Sequence, residues 1–285
     1  MAIRTDRGEF LHPVEVDLLC TFADVLPPFP LEISSVGETD VERFVMFTGA
    51  REQLTERGLA DENGPLGVAD DFVYLLQKAT GVLDLVLAQE RQTYGAAVLT
   101  YRNEALLVSQ DATDPARMVR MKACTLDDAI DELIELIPTL EASLSAPFNL
   151  PRLAVESAYK TMLDRLPHEP DGIVSENDRT VEIVRPKPLR SEEVDELLRS
   201  QGIDDRVARK MVSYMQPVLG SGQAGIAKRD DTEDQWQRAS AELRWLDTPR
   251  GRMRLAEDGE WISVNPLPID EIRSSLRRLA EMIRG

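Results

Sequence analysis

Ile269-Asp-Glu-Ile272-Arg-Ser-Ser-Leu276-Arg-Arg-Leu279-Ala280-Glu-Met-Ile283 carries its apolar residues at helical spacing, so Ile269, Ile272, Leu276, Leu279, Ala280 and Ile283 share one face. Moving back 143 positions lands on Leu126, Ala129, Leu133, Leu136, Ile137 and Leu140, and all six are apolar. Thr125 and Asp128 add the pattern of a capping box at the start of that earlier helix. One amphipathic helix is written twice, half a chain apart.

Working outward, the elements before each helix also recur. Each half opens with an amphipathic helix, carried by Leu18, Leu19, Phe22, Val25 and Leu26 in the first and by Val155, Ala158, Met162 and Leu166 in the second. A short extended run follows, Leu31–Val36 or Val181–Arg185, and then a helix closed by glycine, at Gly58 or Gly202. A further helix, Val68–Thr80 or Asp205–Leu219, is expected to stop at Gly81 or Gly220. Four strands come next. They are expected at Val82–Gln89, Gly95–Arg102, Ala105–Gln110 and Arg117–Ala123, and again at Gln223–Arg229, Ala239–Leu246, Arg252–Ala256 and Glu260–Asn265.

This reading gives an α+β fold with a pseudo-twofold repeat of one αβ unit: a single domain over 1–285 built from halves at 12–140 and 150–283. Each unit would leave sheet edges and helix faces for the other to cover, whether the sheets join edge to edge or pack face to face. Ser143–Pro151 and Pro167–Arg179 read as the mobile connections.

Charge narrows the partners. The chain has 33 basic against 51 acidic side chains, a net charge of −18. Such a surface repels phosphate backbones and anionic membranes, and no basic stripe offsets it, so neither nucleic acid nor membrane insertion is expected. The two cysteines, Cys20 and Cys124, do not make a disulfide framework, and the charged N-terminus lacks the apolar core of a signal peptide, which points to the cytoplasm.

Chemistry-bearing patterns are sparse. The two histidines, His12 and His168, cannot build a histidine-rich metal site, and His12 before Pro13 reads as a helix-entry residue. Gly220-Ser221-Gly222-Gln223-Ala-Gly225 spells GxGxxG, but it follows a helix and precedes a strand. A dinucleotide loop needs the reverse order, so that a helix N-terminus meets the pyrophosphate. The expectation is a flexible helix-to-strand turn. Asp127 and Asp131, one turn apart, could hold a cation, yet acid-rich helix faces are usually solvated. No cofactor, no metal and no catalytic residue are expected.

Three segments then combine: Gly220-Ser-Gly-Gln-Ala-Gly-Ile-Ala-Lys-Arg-Asp, Trp245-Leu-Asp-Thr-Pro-Arg-Gly-Arg252, and Asp258-Gly-Glu-Trp-Ile-Ser-Val-Asn-Pro266 ahead of the closing helix. In the first half, Pro30-Leu-Glu-Ile and Ala50-Arg-Glu-Gln-Leu-Thr-Glu-Arg-Gly-Leu59 agree with them. The chain resembles the EspG family, cytosolic chaperones of type VII secretion in actinobacteria. Glu260 departs from that family's pattern by separating the usual Gly-Trp pair.

The resemblance implies a central antiparallel sheet flanked by helical bundles. It also implies binding of the apolar tip of a PE–PPE heterodimer, keeping that client soluble and targeting it for export. The free chain would be a monomer or weak homodimer.

The residues expected to touch the client are Gly220, Ser221, Gly222 and Gln223 in the turn, and Lys228 as a charge partner. Met211, Tyr214 and Met215 would form an adaptable apolar grip, and Trp236 a loop anchor. Each has a plainer reading as core, turn or solvated surface, and Trp245 and Trp261 are expected in the core. The alternatives are a chaperone for another exported client, or an enzyme using the Gly220–Gly225 turn for a small molecule or nucleotide.

Overall fold

The computed structural model describes residues 8–89, 92–102, 104–153, 213–215, 217–229 and 236–283, with single positions 156, 192, 196, 199, 206 and 209. The chain runs through β1 (Glu9–Leu11), α1 (Pro13–Ala23), α2 (Asp40–Glu56) and α3 (Val68–Lys78). It continues into β2 (Gly81–Gln89), β3 (Thr93–Tyr101), β4 (Glu104–Asp111), β5 (Val119–Cys124) and α4 (Leu126–Leu136). Then come β6 (Phe148–Pro151), β7 (Gly220–Arg229), β8 (Trp236–Thr248), β9 (Gly251–Asp258), β10 (Trp261–Pro266) and α5 (Ile269–Glu281). The second-half segments read as Val155–Leu166, Pro167–Arg179, Val181–Arg185 and the helix ending at Gly202 lie almost wholly outside the described residues.

The ten strands form one sheet in the order β1-β5-β4-β3-β2-β7-β8-β9-β10-β6, and every neighbouring pair is antiparallel. First-half strands occupy one side and second-half strands the other. They meet where β2 pairs with β7, from Gly81↔Lys228 to Gln89↔Gly220. Of the two arrangements left open above, edge-to-edge joining is the one formed.

All eight strands read from alternation are present. The two additional ones, β1 and β6, are three and four residues long and finish the edges beside β5 and β10.

Alternation along the strands supplies two cores. Val82, Ala97, Leu99, Leu106, Val108, Val119 and Met121 face α1 and α3, where Val16, Leu19, Phe72 and Leu76 are buried. Leu83, Leu85, Ala96, Val98, Leu107, Ala224, Ile226, Leu243 and Trp245 face the other way, onto Ile130 and Leu133 of α4 and Ile272 and Leu276 of α5. The two helices that matched in sequence therefore pack beside each other, and Arg273 of α5 pairs with Asp131 of α4.

Helix ends follow their residues. His12 caps α1, accepting at Nδ1 from Val14 N–H at 3.3 Å while its own N–H donates to Glu15 at 2.7 Å. Thr125 and Asp128 form the expected box, Asp128 N–H donating to Thr125 Oγ1 at 3.1 Å. Gly58, just beyond α2, takes φ +70°.

Four expectations change. Leu31–Val36 joins no ladder: side chains satisfy its backbone instead, Glu32 N–H donating to Gln110 and Val36 N–H to Asp17. Gly81 and Gly220 are not helix stops but the first residues of β2 and β7. Ser143–Pro151 is not a loose connection, because Ser143 N–H donates to Arg252 C=O at 3.0 Å and Phe148–Pro151 is strand β6. Trp261 is 49% exposed rather than core, since it starts β10 opposite Pro151 at the sheet's far margin.

Candidate functional site

Gly220-Ser-Gly-Gln-Ala-Gly225 is not a turn. All six residues lie in β7, hydrogen-bonded between β2 and β8 near the middle of the sheet. Ser221 and Gln223 are half-buried and share a sheet face with their register partners Ala88 and Val86. The glycines serve neighbours. Gly222 pairs with Trp245, and a side chain there would overlap the indole. Gly225 pairs with Asp84, and its empty space is filled by the guanidinium of Arg238. Its extended backbone cannot curl around a phosphate.

Through that gap Arg238 reaches from β8 over β7 to β2. Its Nη2 and Nη1 lie 3.0 and 3.2 Å from the carboxylate oxygens of Asp84, it also pairs with Glu242, and it sits 5.1 Å from the ring centre of Phe29. Asp84 is 1% exposed, and burial pushes its carboxyl up to about 6, against the pull of Arg238. This cluster ties the first half to the second across the seam.

A second buried pair lies in Trp245–Arg252. Arg252, fully buried, donates from Nε and Nη2 to Asp247 at 2.7 and 2.9 Å and from Nη2 to Pro138 C=O at 2.9 Å. Thr248 Oγ1 donates to Gly251 C=O at 3.0 Å and accepts from Arg250 N–H, shaping the hairpin tip. Gly251 has φ +108°, and a Cβ there would come 2.7 Å from Ser143 N. The hairpin thereby clamps the stretch leaving α4, with Arg252 N–H donating to Glu141 C=O at 2.8 Å.

The remaining predicted contacts do not form one patch. Lys228 is exposed, eight residues along β7 from Gly220, about 27 Å at the usual strand rise. Trp236 is not in a loop: it opens β8, half-buried against the α1–α3 core, with Arg229 5.8 Å from its ring centre. Tyr214 lies near the Gly220 end, 5.8 Å from Phe148 and 5.1 Å from Arg250. Met215 is buried, which removes it from direct contact in this state. Met211 lies outside the described residues.

A polar cleft of about 850 Å³ opens between α3, α4 and β4–β5, lined by Asp71, Glu104, Asp128, Asp131, Glu135 and Cys124 among others. Its bases, Arg120 and Lys122, both pair with Glu132. Thr125 hydrogen bonds hold the Asp128 carboxyl below its ordinary range, and burial pushes the Cys124 thiol up, away from the reactive thiolate. Among the described residues no group of three or more His, Cys, Asp or Glu is placed to hold a metal ion. Asp131 is engaged by Arg273, so the Asp127–Asp131 spacing makes no cation site.

Across the described residues no helix is long and apolar enough to cross a membrane. No curated protein matches the chain. The fold is similar to that of the Mycobacterium tuberculosis type VII secretion system chaperone EspG5 in complex with the PE25-PPE41 dimer. The TM-score is 0.62 at 9% identity, covering 97% of this chain and 96% of that one. A family model described as the EspG family matches residues 12–278, nearly the whole chain. The chain belongs to the EspG family.

Proposed function

We propose that this chain is a cytoplasmic, non-enzymatic chaperone of type VII secretion that binds a PE–PPE heterodimer, keeps it soluble and targets it for export. The observation that carries this is family membership over residues 12–278, together with a fold shared end to end with a chaperone solved on a PE–PPE dimer. The interior supports it: the buried polar groups of the seam and the hairpin bind one another, as groups that fix a shape do.

The doubled unit belongs to the same reading. The order β1-β5-β4-β3-β2 on one side of the seam matches β6-β10-β9-β8-β7 on the other, as expected if the halves are copies of one ancestor. Ser221 and Gln223, half-buried on one face of the sheet, and exposed Lys228 are the contacts offered to the client, with Tyr214 at the Gly220 end. Trp236 stands at the Lys228 end against the α1–α3 core, and Met215 is buried.

Co-expression with a PE–PPE pair from the same source tests the reading. The pair should remain in the soluble fraction only when the chain is present. A pair equally soluble without it overturns the chaperone assignment.

A further inference from the structure

Helix α2 is unusually placed for its composition. Its buried residues are Ala50 and Leu54, both in the second half of the helix. The first two turns turn a different face inward, fixed by Arg43. Its guanidinium lies 3.1 and 3.2 Å from the Asp17 carboxylate, donates to Val36 C=O at 3.0 Å, and stacks 4.4 Å from the ring centre of Phe47. Opposite that anchor, Val41, Phe44 and Val45 are 74%, 72% and 63% exposed. Their i, i+3, i+4 spacing makes one continuous apolar stripe on a rigidly held helix.

The surroundings of the stripe select its occupant. At 3.6 residues per turn, Asp40 and Glu42 border it, while Glu52 and Glu56 continue its line; all four are exposed, as is Glu38 before the helix. Arg51 is the one exposed base on α2, because Arg43 is spent inward. A second copy of this chain would set acid against acid, at a net charge of −18 per molecule. Anionic lipid or nucleic acid would be repelled in the same way.

We propose that the outer face of α2 docks an amphipathic helix of a partner protein, one whose apolar stripe is bordered by lysine or arginine. Val41, Phe44 and Val45 supply the apolar contact, and the acidic border supplies orientation and on-rate.

The test uses the full chain and two synthetic helices with the same leucine stripe, one flanked by lysines and the other by glutamates. Fluorescence anisotropy should show binding of the lysine helix, weakened at least about tenfold in a Val41→Ser/Phe44→Ser/Val45→Ser variant, and no binding of the glutamate helix. Because those three side chains are exposed, the variant should unfold at the wild-type temperature. A Glu42→Lys/Glu52→Lys variant, which leaves the stripe intact, should weaken the lysine helix too.

Equal affinity of the triple variant and wild type, or equal affinity for both helices, overturns the proposal. So does self-association of the wild type that the triple variant abolishes, which would assign the face to a second copy. A triple variant that loses the lysine helix but still binds the PE–PPE pair supports it, and loss of both would hand the face to the client. A wild type that binds the lysine helix but not the PE–PPE pair counts against the preceding reading alone.

Discussion

Gly222 of β7 lies directly beneath the indole of Trp245 on β8, and the ring atoms Cζ2, Cε2 and Cη2 occupy the space a Cβ would need. Trp245 is itself 1% exposed, so the ring has nowhere to retreat. The glycine that reads in sequence as a hinge is in fact a socket.

Gly222→Ala should therefore destabilise the chain by about 1–3 kcal/mol through overpacking, seen as a lower midpoint in thermal or urea unfolding. Trp245→Leu in the Gly222→Ala background should recover part of that loss. Wild-type stability of the single variant would show that the ring moves freely.

Asp84 gives a pH signature. Its carboxyl, raised by burial from 3.8 to about 6, binds a proton more tightly folded than unfolded. Ionising it costs more in the folded state, so its contribution to stability is largest below about 4 and falls as pH rises toward about 6. Asp84→Asn lacks this loss. The variant-minus-wild-type unfolding free energy should climb between those limits by an amount on the order of 3 kcal/mol. Chemical denaturation at a series of pH values measures it, and a flat or descending difference curve would contradict the assignment.

The Arg252–Asp247 pair should behave as a buried ion pair does. Asp247→Ala strands a fully buried guanidinium and should cost about 3–5 kcal/mol. The double variant Asp247→Leu/Arg252→Met should recover much of it. Limited proteolysis should cut the stretch after α4 faster in Asp247→Ala, because the hairpin that clamps Glu141 and Ser143 is loosened.

Bulk at a half-buried position of β7 should separate folding from client binding. Gln223 is half-buried beside Val86, so Gln223→Arg should leave the unfolding midpoint within a few degrees of wild type. The same variant should weaken the PE–PPE complex at least about tenfold by calorimetry. Unchanged affinity would move the contact elsewhere.

Much of this molecule was legible in its sequence, because alternation and helical periodicity are local. The eight main strands, the capping by His12 and Thr125, and the amphipathic faces of the two closing helices all follow from residues within one or two turns of each other. What could not be read depends on distant neighbours. The role of Gly222 is set by Trp245 and that of Gly225 by Arg238, so a glycine-rich central strand looked like a turn. Trp261 alternates as a core residue would, but stands at the outer margin of the sheet. The edge strands β1 and β6 are too short to show a period. Asp84 finds its partner, Arg238, 154 residues away. Of the candidate contacts, Ser221, Gln223 and Tyr214 gather at one end of β7, and Lys228 and Trp236 fall at the other.

The most direct measurement of chaperone function is light scattering during gel filtration of the purified chain mixed with a purified PE–PPE pair from the same source. That function requires one peak whose mass is that of the pair plus a single 31.9 kDa chain. Two peaks, at the masses of the separate chain and the separate pair, would contradict it.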